Sequence, residues 1–108
     1  MRLYHNPRCS KSRQAVALLS SRGIEFEEYR YLDYGIAPED FEILLSLDGL
    51  IRTNDIGTDI IFDPSNKSEL RMLLASEPKL LQRPILVNGG KAVIGRPPET
   101  ILTLLPEA

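Results

Sequence analysis

The single cysteine of the chain, Cys9, stands in a basic segment near the N-terminus. Residues 1–24 hold five arginines and lysines and no acid, and Arg8, Lys11 and Arg13 flank the cysteine. Cys9 also precedes a predicted helix, where main-chain N–H groups without partners and the positive end of the helix dipole stabilise an anion. Both effects favour the thiolate, the reactive form of cysteine. We therefore predict a partly exposed nucleophile, although a lone cysteine is more commonly a buried structural residue.

Three neighbours of Cys9 have side chains that suit the same chemistry. Ser12 and Arg13 follow the cysteine by three and four residues, so a helix that extends this far presents all three on one face. Ser12 could donate a hydrogen bond to the thiolate, and Arg13 could hold an anion beside it. His5, the only histidine, could fold back across the intervening bend and favour the thiolate. Each residue alone would suit a structural role, and it is the shared spacing that predicts a site.

Three further arginines have settings that suggest an anion site. Arg83 comes directly before a predicted strand, Arg96 directly after one, and Arg52 lies in a middle helical segment. Each of them alone would fit a surface salt bridge, which needs no function. A guanidinium, however, offers a planar fork that suits tetrahedral oxyanions. Together with Cys9, these arginines predict a thiolate that attacks the central atom of an oxyanion while cations stabilise the added charge.

The elements that must position these residues follow from hydrophobic pattern and turn signals. We predict strands at Met1–Tyr4 and Glu25–Leu32, helices at Ser10–Arg22, Pro38–Leu47, Ser65 or Asn66 to Ala75 and from Pro97-Pro98 onward, a helical turn at Leu50–Asn54, and a hairpin of Ile85–Val87 with Ala92–Ile94. The β-α-β half requires a parallel pair and the hairpin an antiparallel pair. The chain, residues 1–108, is therefore expected to be one α/β domain with a four-stranded mixed sheet flanked by helices. We also predict a cis peptide between Arg83 and Pro84.

Composition and cysteine count exclude several classes of function. The net charge of −2 gives no general reason to expect a nucleic acid or a membrane surface as partner. The sequence has no bilayer-spanning apolar run and no signal-peptide core, so we expect a cytoplasmic protein. One cysteine and one histidine provide no metal cluster, and no nucleotide-binding glycine motif is present. We expect a monomer without a tightly bound cofactor.

A reducing thiol has to come from outside the chain. Ser12 occupies the second cysteine position of a Cys-x-x-Cys motif, so Cys9 has no internal partner for a disulfide. Glutathione or a partner protein could supply the resolving thiol.

The segment Tyr4–Arg13, with the sequence YHNPRCSKSR, resembles the active-site signature of the glutaredoxin-coupled arsenate reductases. The resemblance continues, in the order of that family, through Tyr31-Leu32, Arg83-Pro84-Ile85 and residues 94–99 (IGRPPE), and so covers nearly the whole chain. The likeness is greatest to the short arsenate reductase-like members, and the family is related to the Spx-type regulators. It implies a thioredoxin-like fold with a helical insertion between strands two and three.

The resemblance also implies a role for each candidate residue. Cys9 would be the nucleophile, His5 and Ser12 would tune its thiolate, and Arg13 belongs to the same loop-helix motif. The oxyanion-binding residues would be Arg52, Arg83 and Arg96. In the scheme of the family, arsenate esterifies the cysteine, glutathione as co-substrate attacks the adduct, and glutaredoxin reduces the mixed disulfide. Arsenite is the product.

Two other functions stay open at this stage. A monothiol oxidoreductase on the same scaffold would act on glutathionylated or other thiol substrates without arsenate turnover. A non-enzymatic binding module would resemble the Spx-type regulators, which share this fold and bind RNA polymerase. Those regulators typically carry a Cys-x-x-Cys switch, which Ser12 removes here, and the presence of Arg83 and Arg96 favours an oxyanion enzyme.

Overall fold

The computed structural model describes residues 1–47, 49–52 and 66–104. The strands are β1 (Arg2–Tyr4), β2 (Glu27–Tyr29), β3 (Ile85–Asn88) and β4 (Lys91–Ile94), the α-helices are α1 (Ser10–Ser21), α2 (Tyr31–Tyr34), α3 (Phe41–Leu45) and α4 (Lys67–Ser76), and 3₁₀ segments lie at Pro38–Asp40, Pro78–Leu80 and Pro98–Leu104. In this part of the chain, no helix has the length and apolar character needed to cross a bilayer.

The strands form the predicted four-stranded mixed sheet, in the order β2-β1-β3-β4. β1 runs parallel to β2 and antiparallel to β3, and β3 and β4 form the predicted hairpin. Its turn uses Gly89, whose φ of 63° lies in the left-handed region that glycine adopts without strain. Tyr4, the last residue of β1, pairs with Ile85, the first of β3. The loop after β1 and the chain entering β3 therefore meet at one edge of the sheet.

The sheet separates two apolar layers because successive side chains of a strand point to opposite faces. Leu3 and Leu86 face the layer covered by α1 and the last 3₁₀ segment, where the buried members are Leu3, Ala15, Leu19, Leu86 and Ile101. Tyr4 and Ile85 face the other layer, which contains buried residues of the helical region between β2 and β3. This helical region is the insertion that the sequence predicted. It covers the sheet on the side opposite α1.

A polar network fastens the helical insertion to β1. The Tyr4 hydroxyl donates a 2.6 Å hydrogen bond to Asp40 and accepts a 3.2 Å one from the main-chain N–H of Ala37. Arg2 donates to the same Asp40 carboxylate at 2.8 Å. The Asp40 side chain is only 8% exposed, and the two donors satisfy its carboxylate where little water reaches it. The sequence predicted for Asp40 only a place in the first turn of a helix.

Several predicted elements differ in extent or type. The second strand ends at Tyr29, and Tyr31-Leu32 belongs to the short helix α2, so the prediction of a strand through Leu32 was wrong there. Aromatic residues favour strands only when the tertiary context agrees. Here the ring of Tyr31 is wholly buried in the layer of the insertion. The helix expected from Pro38 begins as a 3₁₀ turn and ends at Leu45.

Residues 50–52 also differ from the predicted structure. Leu50–Arg52 is not a helical turn, because Ile51 instead forms an antiparallel bridge with Leu81. Thr53, Asn54 and Ser65, which fell within or at the start of predicted helices, lie outside the described residues. The last helix is a 3₁₀ segment. The predicted cis peptide at Arg83-Pro84 is confirmed, and a second one, Arg96-Pro97, was not predicted.

Candidate active site

Cys9 caps the N-terminus of α1 from a tight loop. Its own backbone is extended, with φ −92° and ψ 124°, and its carbonyl accepts the first helical hydrogen bond, from the N–H of Arg13 at 3.1 Å. The N–H of Cys9 donates to the Asn6 main-chain oxygen at 3.0 Å, and the Asn6 side chain accepts from the N–H of Arg8. The loop therefore holds the thiol over the first turn of the helix, partly exposed.

The environment of Cys9 favours its thiolate. Burial by itself raises the pKa of the thiol, but the main-chain N–H groups of Ser12 and Lys11 and the guanidinium of Arg83 outweigh this effect. The pKa of Cys9 is therefore lowered from its ordinary value. The sequence pointed to the helix N-terminus and to the neighbouring cations Arg8, Lys11 and Arg13 as the causes. The structure assigns most of the effect to the helix N-terminus and to Arg83, which is distant in sequence.

Arg83 and Arg96 converge on the sulfur from the open end of the hairpin. Arg96 Nη2 lies 3.9 Å from Cys9 Sγ, while its Nε donates a 2.9 Å hydrogen bond to the Arg83 main-chain oxygen. The Arg83 guanidinium lies close enough to the Cys9 sulfur for its positive charge to lower the pKa of the thiol. Its Nε is buried and has no hydrogen-bond partner in the described part of the chain. The antiparallel pairing of β1 and β3 brings these residues together, as the sequence predicted.

Tyr31 is a member of this region that the sequence analysis missed. Its side chain is 0% exposed, and its hydroxyl forms no hydrogen bond of ordinary geometry with any described residue. The hydroxyl lies beside the Arg83 guanidinium, within electrostatic reach of Cys9 and Arg52. Burial is the main reason that the pKa of Tyr31 is raised to about 12. The match of Tyr31-Leu32 to the family pattern was the available signal in the sequence, but that match did not indicate what Tyr31 does. We call Cys9, Tyr31, Arg83 and Arg96 the Cys9 site.

Arg52 approaches the same region from the insertion. Its main-chain N–H donates a 2.7 Å hydrogen bond to the Leu80 oxygen, three residues before Arg83. The side chain is half-buried, and its positive charge acts on the Tyr31 hydroxyl. The predicted third arginine is therefore held near the Cys9 site through its backbone pairing.

Ser12 and Arg13 support the loop of the nucleophile. The buried Ser12 hydroxyl accepts a 3.3 Å hydrogen bond from the N–H of Asn6, and it is the main-chain N–H of Ser12 that reaches the sulfur of Cys9. Arg13 is exposed and donates from Nη1 to the Pro7 oxygen at 3.0 Å. Both residues thus hold the loop in shape. For Ser12, the hydrogen bond to the sulfur that the sequence assigned to the hydroxyl comes from the backbone.

His5 is buried and lines a cleft beside the loop that carries Cys9. The cleft has a volume of about 480 Å³, and its walls include His5, Pro7, Arg8, Arg30, Leu32 and Asp33. Burial lowers the pKa of His5, with Arg30 and Arg13 acting in the same direction against Glu28. Its Nδ1 has no hydrogen-bond partner among the described residues. We call this space the His5 cleft.

The whole site lies within the part of the chain that a protein-family model matches. The ArsC family model matches residues 4–104, which include every candidate residue named above. The chain belongs to the ArsC family. An arsenate reductase of Neisseria meningitidis serogroup A is 39% identical over 116 residues, which cover 97% of each chain. A protein of Escherichia coli K12, named as uncharacterized protein YfgD, is 38% identical over 117 residues, covering 97% of this chain and 96% of the relative.

A solved structure has the same architecture. An arsenate reductase from Vibrio cholerae matches with a TM-score of 0.80 and 33% identity, over 97% of this chain and 98% of that one. The similarity thus extends over both halves of the sheet and the insertion between them. It confirms the thioredoxin-like fold predicted for this ArsC family member.

Proposed function

We propose that this ArsC family member reduces arsenate to arsenite through a covalent Cys9 adduct, with glutathione and glutaredoxin as reductants. The observation that carries the proposal is the convergence of Arg83 and Arg96 on a cysteine whose thiolate is stabilised. Two guanidinium groups beside one thiolate leave a net positive charge, and a second anion between the groups would reduce their mutual repulsion. A tetrahedral oxyanion provides that charge and accepts forked hydrogen bonds from both groups.

In the first step, the Cys9 thiolate attacks the arsenic of dihydrogen arsenate. A sulfur–arsenic bond forms, and one hydroxyl of arsenate takes up a proton from solvent water and leaves as a water molecule. The adduct keeps As(V), three oxygens, one proton and one negative charge. Arg83 and Arg96 are placed to hold these oxygens while the charge is redistributed in the transition state.

In the second step, the sulfur of glutathione attacks the Cys9 sulfur. The sulfur–arsenic bond breaks, and its electron pair stays on arsenic, which becomes As(III) and leaves as arsenite. The proton of the glutathione thiol goes to an arsenite oxygen, and a Cys9–glutathione disulfide is left. A glutaredoxin thiol then takes over the glutathione by thiol–disulfide exchange and regenerates Cys9. An external thiol is required because Cys9 is the only cysteine.

The His5 cleft supports the choice of glutathione. Glutathione carries two carboxylates and one ammonium group. Arg8 and Arg30 on the walls of the cleft suit the carboxylates, and Asp33 suits the ammonium. The 46% exposed side chain of Leu32 offers apolar contact. The cleft adjoins the loop that carries Cys9, and the demand for reduced glutathione places the protein in a reducing compartment such as the cytoplasm.

The test is arsenate-dependent NADPH consumption in the presence of glutathione, glutaredoxin and glutathione reductase. We expect turnover that is abolished by Cys9→Ser and by omission of either glutathione or glutaredoxin. Absence of arsenate-dependent turnover in the complete mixture would contradict the proposal. If the same protein then removed glutathione from a glutathionylated protein, the monothiol oxidoreductase would be the better account.

A further inference from the structure

Two buried polar atoms of the Cys9 site have no hydrogen-bond partner within the described residues. They are the hydroxyl oxygen of Tyr31 and Nε of Arg83. Buried polar groups in folded proteins nearly always have hydrogen-bond partners. A group without one gives up its hydrogen bonds to water on folding and forms none to replace them, which costs free energy. Two such atoms on neighbouring side chains therefore indicate a ligand that supplies the missing partner.

The other wholly buried tyrosine provides a comparison within the same molecule. Tyr4 is also 0% exposed, but its hydroxyl donates to Asp40 at 2.6 Å and accepts from the Ala37 N–H at 3.2 Å. The rings of Tyr4 and Tyr31 lie in the same apolar layer, 6.1 Å apart between centroids. This layer can thus satisfy a buried hydroxyl fully. At Tyr31 the described residues leave the hydroxyl without a partner.

The surroundings of Tyr31 determine which kind of partner is missing. Arg83 and Arg52, whose charges act on the hydroxyl, are hydrogen-bond donors only. The phenol is protonated at neutral pH, so its proton needs an acceptor. An oxygen of an anion bound next to Cys9 would accept from the Tyr31 hydroxyl and from Arg83 Nε together. A neutral donor adds such a bond without adding another cation to the site.

We propose that Tyr31 is a catalytic residue, whose hydroxyl donates a hydrogen bond to an oxygen of the oxyanion held between Cys9 and Arg83. The inference rests on the proposed function for the identity of that oxyanion, which is arsenate. Tyr31 would help to bind the oxyanion and to hold it while the Cys9 thiolate attacks its central atom. Its hydroxyl carries no proton away, because it stays a hydrogen-bond donor throughout.

The experiment compares Tyr31→Phe with Tyr34→Phe. Both substitutions remove one hydroxyl from α2, but the Tyr34 side chain is 75% exposed and serves as the matched control. Each is combined with Cys9→Ser, so that arsenate binds without reacting, and arsenate is titrated against the thermal unfolding midpoint. We expect Tyr31→Phe to raise the Kd for arsenate about ten- to a hundredfold. Tyr34→Phe should leave that Kd unchanged.

A second arm uses the same substitutions with Cys9 intact. Tyr31→Phe should lower kcat/KM for arsenate and leave the KM for glutathione unchanged. Without oxyanion, its unfolding midpoint should equal or exceed that of the parent, since the hydroxyl has no partner to lose among the described residues. Each of these expectations separates a ligand-binding hydroxyl from a structural one.

The outcomes distinguish this inference from the proposed function. Unchanged arsenate affinity in Tyr31→Phe, beside clear binding by the Cys9→Ser parent, overturns the role of Tyr31 and leaves the arsenate reductase intact. A large fall of its midpoint without oxyanion also overturns it, because the hydroxyl would then have an internal partner. If the Cys9→Ser parent does not bind arsenate at all, both proposals fail.

Discussion

The side chain of Arg96 donates a 2.9 Å hydrogen bond from Nε to the main-chain oxygen of Arg83. This bond joins the two ends of the hairpin and orients the guanidinium, so that Nη2 faces Cys9 Sγ at 3.9 Å. A group that is already oriented loses little freedom when it binds an anion. The Arg96 guanidinium thus bonds to the Arg83 oxygen through Nε and faces Cys9 through Nη2. Among the side chains, only that of arginine has donors on both edges of one rigid plane.

Replacement of Arg96 by lysine tests this division of tasks. Arg96→Lys keeps the positive charge but cannot bond to the Arg83 oxygen and an oxyanion through one planar group. We expect kcat/KM for arsenate to fall about tenfold or more, and Arg96→Ala to cause a larger fall, because a charge-assisted hydrogen bond contributes about 1.5–3 kcal/mol. Arg22→Ala, at the exposed end of α1, is the control. Lysine working at the parent rate would show that charge alone suffices.

The titration of Cys9 should depend on Arg83 more than on its sequence neighbours. The pKa of Cys9 is lowered by N–H groups of α1 and by Arg83. We expect the alkylation rate by iodoacetamide to rise with pH at a midpoint below that of an ordinary cysteine, about 8.5. Arg83→Ala should shift the midpoint upward. Arg8→Ala should shift it less, and an equal shift in the two variants would contradict this assignment.

The sequence predicted those parts of the site that depend on strand pairing, and it missed those that depend on how the helical insertion packs. Arg83 and Arg96 were predicted to meet Cys9 because strand pairing alone brings the hairpin ends to the loop after β1. Tyr31 was not predicted to belong to the site, because the burial of its side chain depends on how the helical insertion packs on the sheet. No local pattern specifies that packing. The same holds for Asp40, whose partners lie 36 and 38 residues away.

Loss of the Asp40 carboxylate should destabilise the fold without changing the chemistry of the site. Asp40→Asn removes the charge that accepts from the Tyr4 hydroxyl and from Arg2 in a nearly buried position. We expect the free energy of unfolding to fall by about 1.5–3 kcal/mol, the range for hydrogen bonds to a charged group. Urea denaturation measures it, with Asp33→Asn on the exposed face of α2 as control. Equal stability of the two variants would show that the network contributes little.

His5 should make the protein less stable in mild acid. Its pKa in the folded state is lowered from the ordinary 6.5, mainly by burial. The unfolded chain therefore binds a proton more readily, and stability present above about pH 6.5 is lost as the pH falls towards the folded pKa. His5→Gln removes this titration. The parent should lose more free energy of unfolding than the variant between about pH 7 and 5. Parallel pH profiles of the two proteins would refute the assignment to His5.

The His5 cleft should affect glutathione and leave arsenate unaffected. Arg30 lines the cleft, whereas Arg83 and Arg96 contact Cys9 from the hairpin, so the two co-substrates would meet different arginines. Because Arg30 is exposed, its contact with a carboxylate is expected to contribute only about 0.2–1 kcal/mol. Arg30→Ala should therefore raise the KM for glutathione about two- to fivefold, with the KM for arsenate unchanged.

Steady-state kinetics with each co-substrate varied in turn measure both constants, and Arg22→Ala again controls for the loss of an exposed cation. Arg8→Ala should act in the same direction, since Arg8 lines the same cleft. In the double variant the two effects should multiply if the arginines hold separate carboxylates. If Arg30→Ala changed the KM for arsenate, or changed neither KM, glutathione would have to bind elsewhere on the protein.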